Sequence, residues 1–209
     1  TIIGYVYFFT DSKIKLGQNR KQFIEDLIKD VKEIRGDYAG LYKKRDLEQV
    51  LKKFVFFRNN KVKKRSFKHL ARFKFQQSKI IRVIKNTLIK CRRLFIPGAP
   101  AKIFIFPCFS DFVDKQQEGV CGFVPRQNVI HIYLSSNAVH FEKRLKYTVA
   151  HEFYHAISDK YCKKWNKSIL GSLISEGLAN NFRIMAVGGA LTSGLIALSK
   201  SNVKKSGQR

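Results

Sequence analysis

The sequence predicts an α+β fold in which a mixed sheet is followed by two helices, with further helices near the N-terminus completing the domain. Two observations support this prediction. Runs rich in β-branched and aromatic residues have the composition of strands, and they occupy residues 1–9, 101–107, 119–124 and 129–134. After the last of these runs, apolar residues recur at helical spacing in residues 141–159 and again in residues 168–184.

Between the first and second predicted strands, the chain is predicted to be helical. Helical periodicity covers residues 21–34, 38–57 and 66–95, and the third run ends before Pro97. This third run is long and strongly basic. We expect it to pack on the sheet with a lysine-rich face toward solvent, and nucleic-acid or anionic-surface contact is the alternative interpretation. Further along the chain, the polar residues 110–118 are predicted to form a loop.

The length of 209 residues suits a domain with a core of good size. One division gives three parts: residues 1–100 with the N-terminal strand and basic helices, residues 101–187 with the sheet and its two helices, and a flexible basic tail at 188–209. A single domain over the whole chain is the alternative, and the sequence leaves both open.

The chain is extremely basic. Its 41 Lys and Arg residues against 15 Asp and Glu residues give a formal net charge of +26. A field of this sign favours polyanions such as nucleic acid, an anionic membrane surface or an acidic protein. A lysine-rich solvated surface that follows from biased composition explains the charge equally well, since no recognised nucleic-acid motif accompanies it.

The four cysteines and the apolar segments exclude several classes of protein. Cys91, Cys108, Cys121 and Cys162 contain no Cys-x-x-Cys pair, so they do not predict a zinc knuckle or a redox motif. Half-buried thiols in a reducing compartment are the expectation, and an even count leaves disulfides open. Residues 2–9 and 185–198 are apolar but too short to span a bilayer, so we expect no transmembrane segment.

A His-Glu-x-x-His motif at residues 151–155 carries the candidate chemistry. His151 and His155 are four residues apart, which places them one turn apart on the same face of a helix, where two imidazoles can point at one metal ion. Glu152 can then lean over the open coordination position and take a proton from the metal-bound water. The motif is short enough to arise by chance, so the surrounding sequence decides its meaning.

Glu176 is the candidate for the third metal ligand. It lies amid apolar residues, where a carboxylate is costly unless it is paired or bound to a metal. Two histidines and one glutamate, with a fourth position left for water, make a catalytic zinc set. Alone, Glu176 would more simply be a surface residue. Asn180 follows on the same helix face and could accept a hydrogen bond from His151, with a surface or capping role as the alternative.

Residues 119–124 are predicted to be an edge strand, because Gly119 and Gly122 lie within it and Pro125 follows it. An edge strand presents unpaired N–H and C=O groups, to which an extended peptide can add a further strand. Side chains that could stabilise a developing oxyanion are a phenol or an imidazole, and the sequence does not choose among the candidates. These candidates are Tyr154, Tyr161, His131 and His140.

At these residues the chain resembles the gluzincin metallopeptidases and, more narrowly, the DUF2268 group of predicted zinc-dependent proteases. The matching segments are Thr-Val-Ala-His-Glu-Phe-Tyr-His-Ala at 148–156 and Ser-Glu-Gly-Leu-Ala-Asn at 175–180, within a resemblance that covers roughly residues 101–183. The resemblance implies a zincin-like sheet whose edge strand holds the substrate. It also implies His151, His155 and Glu176 as zinc ligands and Glu152 as the general base.

Two features depart from the gluzincin pattern. Gluzincins often have an aspartate where Asn180 stands, and a neutral amide would make His151 less basic. They also often have a C-terminal subdomain that closes the cleft, whereas residues 188–209 are too few to build one.

The sequence therefore predicts a zinc metallopeptidase, a hydrolase that needs Zn²⁺ and acts on a peptide or protein substrate. The alternative function is a basic protein that binds nucleic acid or an anionic surface and keeps a vestigial or structural zinc site.

Overall fold

The computed structural model describes residues 4–8, 72, 75–95, 101–108, 111–135, 141–162 and 168–189. The elements in this part of the chain are the strands β1 (Gly4–Phe8), β2 (Ala101–Cys108), β3 (Val120–Arg126) and β4 (Val129–Ser135), and the helices α1 (Gln77–Leu94), α2 (Asp111–Gln116), α3 (Phe141–Cys162) and α4 (Ile169–Val187). The predicted α+β class is confirmed.

The strands form one mixed sheet in the order β1-β2-β4-β3. β2 is parallel to both β1 and β4, and β3 is antiparallel to β4. Ile105 pairs with Ile132, and Gly122 pairs with that same residue from the other side, so these three positions share one face. Among the described strands, β3 lies at an edge, as its glycines and proline predicted.

One face of the sheet packs against the helices. Alternate residues of β2 and β4 point to this face and meet apolar side chains from α1 and α3 in one continuous cluster. The central members of the cluster are Ile103, Ile105, Ile130, Ile132, Ile80, Ile84, Leu88, Leu145, Val149 and Phe153. Full burial of such a side chain contributes about 1.5–3 kcal/mol. This cluster therefore holds α3 in a definite rotation above the sheet.

The other face of the sheet is buried as well and is aromatic. Phe104 and Phe106 of β2 lie beside His131 and Tyr133 of β4, and the His131 ring centroid is 5.1 Å from that of Phe106. The His131 Nδ1 lies 3.1 Å from the Tyr133 hydroxyl. Burial lowers the pKa of His131 to about 3, because apolar surroundings disfavour the imidazolium. His131 is therefore a neutral residue of the core.

Residues 110–118 were predicted to be a loop, and this is wrong for most of the segment. Residues 111–116 form the short helix α2, whose Val113 is buried and anchors it. The helix ends because Glu118 and Gly119 take positive φ angles of 51° and 79°, and the Gly119 N–H donates to the Val113 carbonyl at 2.8 Å. Two adjacent apolar residues, Phe112 and Val113, in a polar run show no helical periodicity.

Other boundaries differ by a few residues. The strand predicted at 119–124 extends to Arg126, so that Pro125 lies within it. The pairing with β4 becomes irregular between Phe123 and Arg126, and a proline is tolerated at such a bulge on an edge strand. The turn that follows is short, and Asn128 takes the left-handed conformation, with φ of 59°, that asparagine adopts more readily than most residues.

Several predictions fall outside the described residues. These are the helices at 21–34 and 38–57, the first part of the helix at 66–95, and the tail from residue 190 onward, so the three-part division of the chain stays a prediction. Cys91, Cys108 and Cys121 are free thiols. None of the helices in the described part of the chain has the length and apolar character needed to cross a membrane.

The buried His131 predicts a pH dependence of stability. Its pKa is about 3 in the folded state, below the ordinary value of 6.5, so the unfolded state takes up a proton first as the pH falls. The contribution of the neutral His131 side chain to the free energy of unfolding is fully present above pH 6.5 and is lost as the pH falls from there toward pH 3. We expect the free energy of unfolding to fall by about 2 kcal/mol more between pH 7 and pH 5 in the wild type than in His131→Phe. Urea unfolding at the two pH values measures this, and equal losses would contradict the prediction.

Candidate active site

Helix α3 places the motif residues by burying the positions between them. Its sequence contains neither glycine nor proline, so the helix continues without interruption from Phe141 to Cys162. Val149, Phe153 and Ala156 are buried against the sheet and against α1. The side chains of His151, Glu152 and His155 are left half-buried on the side of the helix that faces β3 and α4.

Helix α4 returns alongside α3 and supplies the third residue. It begins at an N-cap, where the Ser168 hydroxyl accepts a hydrogen bond from the Gly171 N–H at 3.0 Å. Phe182 of α4 packs against two aromatic rings of α3, those of Phe153 and Tyr154, with centroid distances of 6.0 and 5.6 Å. This packing fixes α4 so that Glu176 faces the two histidines.

His151, His155 and Glu176 meet at one point. The Nε2 atoms of the two histidines are 3.1 Å apart. Glu176 places Oε2 at 3.1 Å from the His151 Nε2 and Oε1 at 3.3 Å from the His155 Nε2. Hydrogen bonds from His151 and His155 hold the pKa of the Glu176 carboxyl well below its usual range, although the side chain is exposed. In the described part of the chain, these three residues form a group able to hold a metal ion.

Ser175 supports one of the histidines from behind. Its hydroxyl is 3.4 Å from the His155 Nδ1, on the opposite side of the ring from the nitrogen that faces Glu176. Ser175 is buried at the α3–α4 interface. A partner for the second ring nitrogen fixes the orientation and tautomer of a metal-binding histidine. Ser175 was not among the site residues predicted from the sequence. Its position directly before Glu176 is the one feature of the sequence that could have indicated it.

The hydrogen bond that the structure shows for the Asn180 side chain is to Glu176 and not to a histidine. Its side-chain amide donates to the Glu176 backbone carbonyl at 2.9 Å. The residue is buried, so this bond satisfies a polar group that would otherwise be costly. The bond stiffens the turn of α4 that carries Glu176. A hydrogen bond between Asn180 and His151 stays a prediction.

Glu152 projects toward the edge strand and is placed by a close approach to Gly122. A Cβ atom on Gly122 would lie 2.3 Å from the Glu152 Cγ and 2.6 Å from its Oε1. Burial raises the pKa of the Glu152 carboxyl, His151 and His155 lower it, and Glu176 raises it again. Gly122 was predicted only as a mark of an edge strand, and the structure shows that it also makes room for the motif glutamate.

A cleft of about 450 Å³ runs between the edge strand and the two helices. One wall is the β3 segment from Gly122 to Pro125, and the opposite wall comes from α3 and α4. The residues of this opposite wall are His151, Glu152, His155, Ser158, Ser172, Ser175 and Glu176. The cleft therefore places an edge strand directly opposite the His-His-Glu group.

The predicted oxyanion candidates do not lie together in this cleft. Tyr154 packs its ring beside His155 and Phe182, and His131 lies within the sheet. Neither belongs to the cleft wall. His140 and the side chain of Tyr161 lie outside the described residues.

Comparisons with known proteins agree with this site. The model of the family described as "Predicted Zn-dependent protease (DUF2268)" matches residues 80–205, a longer span than the resemblance noted from the two motifs. Neither the curated proteins nor the solved structures compared with the chain gave a match.

The contact between Gly122 and Glu152 predicts that Gly122→Ala destabilises the fold. The added methyl group overlaps the Glu152 side chain and forces it or β3 to move, at a cost of about 1–3 kcal/mol in the free energy of unfolding. Gly177→Ala is the matched control, because a Cβ there meets no atom within 4 Å. In the interior of α4 this control substitution should stabilise by about 0.5–1 kcal/mol. Urea unfolding measures both, and a Gly122→Ala protein as stable as the wild type would contradict the prediction.

Proposed function

Because the chain belongs to the DUF2268 family of predicted Zn-dependent proteases, we propose that it is a zinc metallopeptidase that hydrolyses peptide bonds in a peptide or protein substrate. One observation carries the proposal: two imidazole nitrogens and a carboxylate converge, with the Glu152 carboxyl beside them in the same cleft. The proposed ligands are His151, His155 and Glu176, and the proposed general base is Glu152.

The spacing of the three donors fits zinc. A tetrahedral site with bonds of about 2.0–2.1 Å places its ligand atoms about 3.3 Å from one another. The observed separations of 3.1, 3.1 and 3.3 Å, the last two measured to the nearer carboxylate oxygen, are close to this value. In the tautomer that carries its proton on Nδ1, each imidazole would present its Nε2 lone pair to the space between the three side chains, which a cation would satisfy. Two histidines and a glutamate also form a set of catalytic zinc ligands.

Bound zinc supplies a Lewis acid that polarises a carbonyl group and lowers the pKa of water. The side chains of this protein supply the rest. Glu176 brings the negative charge, and Ser175 orients His155 through its Nδ1. Glu152 accepts the proton of the attacking water and passes it to the leaving amine. Because burial raises its pKa, Glu152 is a stronger base than an exposed glutamate and returns the proton less readily to bulk water.

The edge strand supports a peptide as the substrate. Residues 122–125 of β3 form a wall of the cleft and face the motif helix across it. An extended peptide that hydrogen-bonds to this strand would run past the His-His-Glu group with its carbonyl groups in reach of Glu152. Side chains of the peptide would alternate between the cleft and solvent, so the serines of the opposite wall would contact every second residue.

The decisive experiment measures bound zinc and peptide cleavage in Glu152→Gln. We expect zinc to stay bound at one ion per chain, because Glu152 is not a proposed ligand. Cleavage of a casein or peptide pool should fall about a hundredfold to ten-thousandfold, because the amide cannot accept the proton. Glu142→Gln is the matched control, since this exposed glutamate lies on the same helix and pairs with Lys79 instead.

Two results would contradict the proposal. The first is a wild-type protein that binds no zinc. The second is cleavage that Glu152→Gln leaves at the wild-type rate, because the activity would then come from another site or from a contaminant.

The contact of Ser175 with His155 predicts a loss of zinc affinity in Ser175→Ala. Removing the partner of the His155 Nδ1 frees the ring to rotate and should weaken zinc binding by about tenfold to a hundredfold. Ser172→Ala is the control, since Ser172 lines the same cleft from the exposed side of α4. Competition with a zinc-chelating indicator measures both affinities. Equal affinities in the two variants would show that Ser175 does not hold the histidine.

A further inference from the structure

Helix α4 exposes an apolar stripe on the side away from the rest of the fold. Five large side chains lie on it: Leu170 (67% exposed), Leu173 (57%), Ile174 (43%), Leu178 (39%) and Met185 (71%). Their spacing of three, four or seven residues places them along one side of the helix. Single exposed apolar residues are common, but a contiguous stripe of this kind marks a binding surface.

The stripe carries no charge. The charged residues of α4 are Glu176 and Arg183, and neither belongs to the stripe. Glu176 points to the histidines, and Arg183 is buried with its guanidinium 4.9 Å from the centre of the Tyr147 ring. Gly177 and the exposed Asn181 are the other residues on the stripe side. The face is therefore suited to an apolar environment rather than to water.

A strongly basic helix packs beside this apolar one. α1 contacts both α3 and α4, so the three helices pack together as one group, here called the helical layer. Over its 18 residues α1 has six lysines and arginines and no acidic residue. A groove of about 540 Å³ between α1 and α3 is lined by Lys90, Arg93, Lys143 and Lys146, with Glu142 as its one acidic residue. The helical layer therefore combines an apolar stripe with a cationic surface.

We propose that this layer docks on an anionic lipid membrane, with the α4 stripe entering the boundary between headgroups and acyl chains. An apolar helix face next to clustered lysines and arginines is the combination that binds such surfaces. The proposed attachment is through the surface of these helices. The proposal goes beyond the proposed function and does not depend on zinc.

Charge complementarity favours lipid over a second copy of the chain, and the apolar side chains favour lipid over nucleic acid. Two copies of a chain with a net charge of +26 repel each other, so the stripe is poorly suited to joining them. Nucleic acid matches the charge, but its contacts are mainly with phosphates and polar base edges, which leave leucine, isoleucine and methionine side chains unburied. An anionic membrane matches both the charge and the apolar stripe.

The test is co-sedimentation of the full chain with lipid vesicles. One set contains phosphatidylcholine alone, and the other contains equimolar phosphatidylcholine and phosphatidylglycerol. We expect binding to the anionic vesicles only. The triple variant Leu170→Gln, Leu173→Gln and Ile174→Gln should bind them roughly a hundredfold more weakly, because three side chains no longer enter the apolar layer. Asn181→Gln is the matched control on the same side of the helix and should bind like the wild type.

Further measurements keep the outcomes distinct. Circular dichroism of the triple variant should match the wild type, since glutamine is a good helix former and the replaced side chains are exposed. Glu152→Gln should bind vesicles like the wild type, because Glu152 lies in the cleft and not on the stripe. Peptide cleavage therefore tests the proposed function, and vesicle binding tests the present proposal.

Four outcomes would overturn the proposal. Absence of wild-type binding to anionic vesicles is the first, and equal binding by the triple variant is the second, since charge alone would then explain it. A wild-type dimer that the triple variant converts to a monomer would assign the stripe to a second copy. Stronger binding to a DNA duplex than to anionic vesicles would assign the basic surface to nucleic acid.

Discussion

The candidate site depends on the packing of α3 between the sheet and α4. Val149, Phe153 and Ala156 are buried against the core, and this fixes the rotation of α3 about its axis. Because the helix repeats every 3.6 residues, that rotation also decides where His151, Glu152 and His155 point. Phe182 then packs on the same helix and fixes the position of α4. Packing between the two helices thereby brings the Glu176 carboxylate to the histidines of α3.

Electrostatics at the site follows from unequal exposure of two glutamates. Glu176 is exposed and hydrogen-bonded to both histidines, which stabilise its ionised form. Glu152 is enclosed between α3 and Gly122, and burial favours its protonated form. The pKa values of these two neighbouring carboxyl groups are thus shifted in opposite directions. One is suited to hold positive charge and the other to exchange a proton, which are the two roles that the proposed hydrolysis assigns to them.

The sequence predicted the parts of the structure that depend on local pattern. The His-Glu-x-x-His spacing and the apolar residues around it were enough to identify α3, and the glycines and proline of residues 119–125 were enough to identify an edge strand. The gathering of His151, His155 and Glu176 also agrees with what the two motifs indicated.

What the sequence could not predict depends on contacts between distant residues. The fit of Glu152 against Gly122 is a contact across 30 positions of the chain, and no periodicity encodes it. The same holds for the contact between Ser175 and His155. Helix α2 could not be predicted for a different reason, because its apolar residues Phe112 and Val113 are adjacent and show no helical period in a polar segment. The apolar residues of α4 predict a helix, but only the structure shows which of them face solvent.

Helix α4 carries residues of the candidate site on one side and the apolar stripe on another. Glu176 and Ser175 contact the histidines on one side of the helix, and the apolar stripe lies on another. Both sides belong to the same continuous helix. Thermodynamic linkage then imposes reciprocity: whatever factor a ligand on the stripe applies to metal affinity, metal applies to the affinity for that ligand. If occupancy of the stripe and occupancy of the donor group are coupled, that coupling passes through this one helix.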